Sequence, residues 1–207
     1  MKIITCDADV SKGAAWLAGQ DPRWAAALQA CGPLPLRRRS DGFAQVLSAI
    51  VSQQVSVASA AAIWARIEAA GATSAEAVAG MSAEDLRALG LSRQKIRYAH
   101  ALAAAGIDYN ALRALPSEAV IKTLVAVPGI GPWTAEIYAM FSLGHADVFA
   151  PGDLALQEAA KDLFELPARP KEAALRAMSL EWSPWRSVAA RALWAYYRVI
   201  KNREGIR

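Results

Sequence analysis

Leu124-Val125-Ala126-Val127-Pro128-Gly129-Ile130-Gly131-Pro132-Trp133-Thr134-Ala135 joins the end of one helical pattern to the start of the next. Pro128-Gly129 ends the first helix, and Pro132 suits the first turn of the second, where its missing N–H costs nothing. The two helices should therefore close into a tight hairpin. Gly129 and Gly131 permit positive φ angles and let a partner approach the backbone, while the N–H groups at the second helix's start attract an anion such as phosphate. A DNA backbone fits that description. So does an ordinary turn between antiparallel helices that binds nothing.

Outward from the hairpin the pattern stays helical. Apolar periodicity predicts helices near 9–19, 21–31, 41–53, 55–70, 92–105, 116–126, 132–143, 153–164, 170–179 and 184–202. Thr73-Ser74-Ala75-Glu76 and Ser82-Ala83-Glu84-Asp85 read as capping boxes that start two more. Strand-like alternation is scarce, so the expected fold class is all-α. Pro33 and Pro35 beside Arg37-Arg38-Arg39 read as a connector, as does Ala146-Asp147-Val148-Phe149-Ala150-Pro151-Gly152. With those boundaries, residues 1–207 form one domain of two helical lobes. The central lobe covers approximately 36–145, the second lobe approximately 1–35 plus 146–207, and the hairpin lies beside a cleft between them.

A chain of 207 residues with 55% hydrophobic and 20% charged content can bury a sizeable core, which excludes disordered and fibrous classes. No stretch reaches the ~18 uninterrupted apolar residues of a membrane span. Even Val57 to Ala72 carries Arg66 and Glu68. Met1-Lys2-Ile3-Ile4-Thr5-Cys6-Asp7-Ala8-Asp9 lacks the basic-then-apolar layout of a secretory signal, so a soluble protein resident in the cytoplasm is expected. Cys6 and Cys31 are too few for a disulfide framework and lack metal spacing. His100 and His145 are isolated, which leaves them structural or exposed. The net charge of +4 is unevenly spread: from Arg169 onward nine basic residues face three acidic ones, giving +6 there and −2 elsewhere. A basic end and the run Arg37-Arg38-Arg39 are consistent with a polyanionic partner, although solvated arginine on helix surfaces is the commoner meaning.

Asp153 follows Pro151-Gly152 and opens the helical pattern of Leu154-Ala155-Leu156-Gln157. On position alone it reads as a helix N-cap. A carboxylate there can also stabilise a cation that develops on a sugar as its glycosidic bond breaks, and can orient or deprotonate an attacking water.

Taken together, the hairpin and Val148-Phe149-Ala150-Pro151-Gly152-Asp153 about twenty residues beyond it resemble the helix-hairpin-helix DNA glycosylase superfamily. Ile50-Val51-Ser52-Gln53-Gln54-Val55-Ser56 is similar to the family's DNA-penetrating loop. Trp182-Ser183-Pro184-Trp185-Arg186-Ser187 with Leu193-Trp194 is similar to the carboxy-terminal motif of its DNA-3-methyladenine glycosylase II branch. The matches run from Ile50 to Trp194.

The resemblance implies a monomeric DNA glycosylase that flips and hydrolytically excises alkylated purines such as 3-methyladenine and 7-methylguanine from double-stranded DNA. It makes Asp153 catalytic and places Trp133, Trp194, Ile137 and Tyr138 at the base pocket. Stacking and cation–π attraction there would favour electron-poor bases. Trp16, Trp24, Trp64, Trp182 and Trp185 are left to support the fold. Gln54 fills the gap left by the flipped nucleotide, with Gln53 beside it, and Pro128, Gly129, Ile130, Gly131 and Thr134 face the DNA backbone. The carbonyls of Val125, Val127 and Ile130 correspond to those that hold a monovalent cation. Trp133 stands where strand-cleaving members carry a lysine, so no lyase activity is implied. No cysteine follows Cys31, so no iron–sulfur cluster is expected, and no other cofactor is required. Only about forty residues precede the core, so an amino-terminal sheet domain is not expected. A glycosylase for another damaged or deaminated base, or a non-catalytic helix-hairpin-helix DNA-binding module, remains the alternative.

Overall fold

The structure, a computed structural model, describes residues 1–201. Thirteen α-helices form among them: α1 (Asp7–Gln20), α2 (Pro22–Cys31), α3 (Phe43–Val51), α4 (Val57–Ala69), α5 (Ala75–Ala79), α6 (Ala83–Ala88), α7 (Arg93–Ala104), α8 (Tyr109–Ala114), α9 (Ser117–Val125), α10 (Pro132–Tyr138), α11 (Leu154–Leu163), α12 (Glu172–Met178) and α13 (Arg186–Lys201). Among the described residues no strand forms, and extended backbone pairs only at an isolated bridge between Ile3 and His145. The fold is all-α, and among the described residues no helix is long and apolar enough to cross a membrane.

Two compact units divide the chain, Arg39–Tyr138 and the discontinuous unit of Met1–Arg38 with Ala139 onward. Residues 139–145 thus join the amino-terminal piece rather than the central one. The Ile4 N–H donates to the Gly144 carbonyl at 2.7 Å and the Ala146 N–H to the Lys2 carbonyl at 3.0 Å, which ties the segment to the first residues of the chain.

In the discontinuous unit α13 is the central element, with every residue from Ser187 to Ala195 buried. Small side chains at Ala189, Ala190, Ala192 and Ala195 let its neighbours α1, α2 and α11 approach. Gly13 of α1 shows how closely: a Cβ there would stand 2.6 Å from Val188 and 2.8 Å from Trp185. Trp24, Phe149, Phe164 and Trp182 fill the adjoining core, with Phe164 stacked on Trp182 at 5.7 Å and the other rings meeting edge to face. In the central unit α7 buries Ile96, Ala99 and Leu102 against α3, α5 and α6.

Some helix boundaries differ from the sequence reading. Asp108 accepts the N–H groups of Asn110 at 2.9 Å and Ala111 at 3.0 Å, starting α8, a helix the periodicity did not predict. Ser82 and Asp85 form the expected capping box, but Ser74, not Thr73, caps α5 and accepts from Ala77. The predicted helix over 132–143 is α-helical only to Tyr138 and then widens into a π-turn over Ala139–Leu143. Arg186 rather than Pro184 opens α13, and the Ser183 hydroxyl before it donates to Asp147.

Candidate active site

Asp153 caps α11. Its Oδ1 accepts the N–H groups of Ala155 at 2.9 Å and Leu156 at 3.1 Å. A third donor reaches the same oxygen from another helix: the Trp194 indole N–H, at 3.2 Å. Trp194 is 1% exposed and lies tilted against Phe141 with ring centroids 5.8 Å apart, so packing sets the direction of its N–H. Phe141 belongs to the π-turn over Ala139–Leu143. Asp153 as a residue is only 9% exposed. Its orientation is thus fixed by helices α11 and α13 together, as a group that acts on a developing cation or a water requires.

The loop leading to Asp153 is anchored at both ends. At its start the Ala146 carbonyl accepts the Ser187 N–H at 2.9 Å. Asp147 accepts Arg186 Nε on Oδ1 at 2.6 Å and the Ser183 hydroxyl on Oδ2 at 2.9 Å, while Arg186 Nη2 donates to the Asp147 carbonyl at 3.0 Å. Burial alone would raise the Asp147 pKa, but the Arg186 and Ser183 hydrogen bonds outweigh it and hold the group below the usual carboxylate value. At the far end the Gln157 amide donates to the Pro151 carbonyl at 2.8 Å, and the Asp153 N–H to the Ala150 carbonyl at 3.0 Å.

One turn beyond Ser187, buried Arg191 donates through Nη1 to the Ser187 carbonyl at 2.9 Å and hydroxyl at 3.0 Å. Its Nε and Nη2 both reach the Leu36 carbonyl, and its guanidinium lies 4.7 Å from the Phe141 ring centre. Burial, with the charges of Arg37 and Arg38, lowers its pKa to about 9. Two of the basic residues counted toward the carboxy-terminal charge, Arg186 and Arg191, therefore hold the fold around Asp153. Arg203 and Arg207 lie outside the described residues.

The hairpin belongs to the central unit. Its turn is closed by the Val127 N–H to the Leu124 carbonyl and the Ile130 N–H to the Val127 carbonyl, both at 3.1 Å, with Val127 and Ile130 buried as anchors. Gly129 adopts φ +94°, where glycine alone is unstrained. Gly131, Pro132 and Trp133 are exposed at the start of α10, with Thr134 half-buried. In the same unit Gln54 is exposed with φ +55°, a conformation uncommon outside glycine. Gln53 turns the other way and donates its amide to the Gly129 carbonyl at 2.9 Å.

Residues 47–184 match the model of the HhH-GPD superfamily of base excision DNA repair proteins. The chain belongs to this superfamily. Its relatives include Escherichia coli DNA-3-methyladenine glycosylase 2, 30% identical over 168 residues that make up 74% of this chain and 57% of that protein. Among solved structures, a DNA-3-methyladenine glycosidase from Bacillus halodurans superposes with a TM-score of 0.80 at 30% identity, covering 96% of this chain and 93% of that one. A Schizosaccharomyces pombe 3-methyladenine DNA glycosylase in complex with abasic DNA superposes with a TM-score of 0.76 at 27% identity, covering 95% of this chain and all of that one. Several curated relatives are longer: the chain spans 43% of one from Bacillus subtilis and 14% of one from Mycobacterium tuberculosis.

Within this HhH-GPD framework the expected pocket aromatics differ in exposure. Trp133 is 41% exposed, whereas Trp194 is 1% exposed and donates its indole N–H to Asp153. Ile137 and Tyr138 are buried, and the Tyr138 hydroxyl accepts the Gly42 N–H at 2.9 Å. Burial raises the Tyr138 pKa to about 12, so this phenol stays neutral. Gln53, expected at the DNA, is turned onto the hairpin. Sequence reasoning missed the Trp194–Asp153 bond, the Asp147–Arg186–Ser183 clamp and the Gln53–Gly129 tie. The motif Trp182-Ser183-Pro184-Trp185-Arg186-Ser187 holds two of the three clamp residues, Ser183 and Arg186, and is the one local signal for it.

Proposed function

We propose that the chain is a monofunctional DNA glycosylase that excises alkylated purines, 3-methyladenine and 7-methylguanine among them, from double-stranded DNA. The observation that carries this is Asp153, held by the first turn of α11 and by the Trp194 indole N–H, in a chain that carries the HhH-GPD hairpin. Its carboxylate stabilises the cationic sugar as the N-glycosidic bond breaks and orients the water that replaces the base. An alkylated purine is already cationic and leaves without protonation, so one carboxylate suffices where glycoside hydrolysis uses two. The names of the E. coli, B. halodurans and S. pombe relatives support this substrate class.

The remaining parts follow from the chemistry of flipping. Gln54 at the exposed loop tip fills the gap left by the extruded nucleotide, and Trp133 offers an aromatic face on which an electron-poor base stacks. Pro128, Gly129, Ile130, Gly131 and Thr134 carry the hairpin against a phosphate. The Val125 and Val127 carbonyls lie at and just beyond the end of α9, where helix carbonyls lack intrahelical partners. With Ile130 they would hold a monovalent cation, which supplies positive charge toward a phosphate. Val127 donates that capacity through its second lone pair, the first accepting Ile130. No other cofactor enters the reaction, and the enzyme works as a monomer in the compartment of the chromosome, the cytoplasm if the source is bacterial.

Trp133 in place of a lysine removes the amine a lyase would need. The expected product is an intact abasic site, and borohydride should trap no protein–DNA adduct; a trapped adduct would assign a lyase. A glycosylase for another base would share this machinery. Side-by-side release from matched duplexes decides between them: 7-methylguanine should leave much faster than uracil, and the reverse order would reassign the substrate.

A further inference from the structure

Gln54 stands at the tip of a loop in a backbone conformation that L residues rarely hold without support. The support comes from α7 and the hairpin. Before the tip, α3 ends at Val51, whose carbonyl accepts the buried Lys95 ammonium at 2.6 Å. A cation at a helix C-terminus satisfies a carbonyl that has no helical partner. One turn along α7, the Tyr98 ring lies flush against the hairpin: a Cβ on Gly129 would stand 2.3 Å from it. The Tyr98 hydroxyl accepts the Gln94 amide at 2.6 Å, which fixes the ring from its far side. Gln53 closes the circuit across 76 residues of sequence, its amide donating to the Gly129 carbonyl at 2.9 Å. Thus one helix props both segments, and one side chain joins them directly.

We infer that Gln53 is a positioning residue whose amide locks the Gln54 tip to the hairpin turn at Gly129, so that seating the hairpin on a phosphate and inserting the tip into the duplex occur as one movement. Ordering the tip in advance removes an entropy cost that a loose loop would meet at the moment of insertion. The roles of tip and turn rest on the glycosylase reading; the link between them is a property of the protein alone.

Hydrogen exchange of the DNA-free protein tests the link. Gln53→Glu keeps the side chain's shape without its N–H donor, and Gln53→Ala removes both. In either variant the hydrogen-bonded amides of Ser52 and Gln53 and of Ile130 should exchange together, about tenfold faster, as expected for loss of one hydrogen bond. The thermal midpoint should fall by no more than about 2–6 °C, so the protein stays folded. Acceleration confined to Ser52 and Gln53, or none, overturns the inference.

The functional arm is a double-mutant cycle in single-turnover release of 7-methylguanine from duplex DNA. Gln53→Ala and Gln54→Ala should each slow release about tenfold, and the double variant should be no slower than Gln54→Ala alone, because Gln53 acts through Gln54. Multiplying losses would make Gln53 an independent DNA contact and reject its positioning role. Absence of any base release by the wild type would sink the glycosylase reading instead, while the exchange result would still decide the link.

Discussion

Asp153→Asn separates a helix cap from a catalytic anion. Asparagine retains an oxygen for the three N–H groups of Ala155, Leu156 and Trp194, so the substitution alters charge while preserving the acceptor geometry. Asn caps as well as Asp. The loss is the charge at a helix start, about 0.3–1 kcal/mol, and the charge-assisted part of the indole bond, about 1 kcal/mol. A total near 1–2 kcal/mol leaves most domains folded. Asp153→Ala is harsher, costing about 0.5–2 kcal/mol for the cap and about 1–3 kcal/mol for a buried indole N–H deprived of its acceptor. Urea denaturation should therefore rank wild type, Asn and Ala in that order, with a small first step. Base release should not follow that ranking: both variants should lose at least about 10²–10³-fold, since both lack the charge that stabilises the developing cation. An Asn variant that is folded and releases base within threefold of the wild-type rate would reduce Asp153 to a cap.

Trp194→Phe keeps a ring against Phe141 and deletes the N–H to Asp153; it should lower the maximal rate about tenfold with duplex affinity unchanged, and an unaltered rate would show that the indole N–H does not position the carboxylate. The two hairpin glycines should part company. Gly129→Ala meets Tyr98 and a positive φ and should destabilise by about 1–3 kcal/mol, whereas Gly131 faces open space, so Gly131→Ala should keep its urea midpoint and weaken binding to lesion and intact duplex alike; equal destabilisation by both would refute this geometry. His145, wholly buried, has its pKa lowered to about 4 by burial and then by Arg38. The unfolded chain therefore takes up a proton that the folded one refuses: this contribution is complete above the ordinary value of 6.5 and declines as pH falls toward 4, by a total on the order of 3 kcal/mol. Urea midpoints from pH 7 to 4.5 measure it, and a resonance assigned to His145 that titrates near 6.5 in the folded protein would contradict it.

What was legible in the sequence is what local chemistry determines. Pro128, Gly129 and Pro132 place the hairpin because each restricts the backbone on its own, and Asp153 after Pro151-Gly152 marks a helix start whether or not it also reacts. Ser82 and Asp85 are a reciprocal pair three residues apart and were equally readable. Contacts across the chain left no such mark. Trp194 meets Asp153 only because the small residues of α13 let it pack close to α11, and a tryptophan in an apolar helix gives no sign of where its N–H points. Arg186 and Arg191 looked like surface charge; one is consumed by Asp147 and Ser183, the other by the Leu36 and Ser187 carbonyls. The helix at Tyr109–Ala114 escaped because six residues give too little periodicity, although Asp108 supplies an evident cap. The π-turn after Tyr138 is hidden for the same physical reason: widening a helix by one residue shifts its apolar face without changing its composition.

The central claim is that Asp153 drives hydrolytic release of alkylated purines, and it is met most directly by incubating the protein with methylated genomic DNA and identifying the released products chromatographically. Wild-type protein should liberate free 3-methyladenine or 7-methylguanine and leave unbroken abasic sites in the strand, and folded Asp153→Asn protein should liberate neither above the spontaneous rate. Release of no methylated base by the wild type, or equal release by the folded Asn variant, would contradict the account.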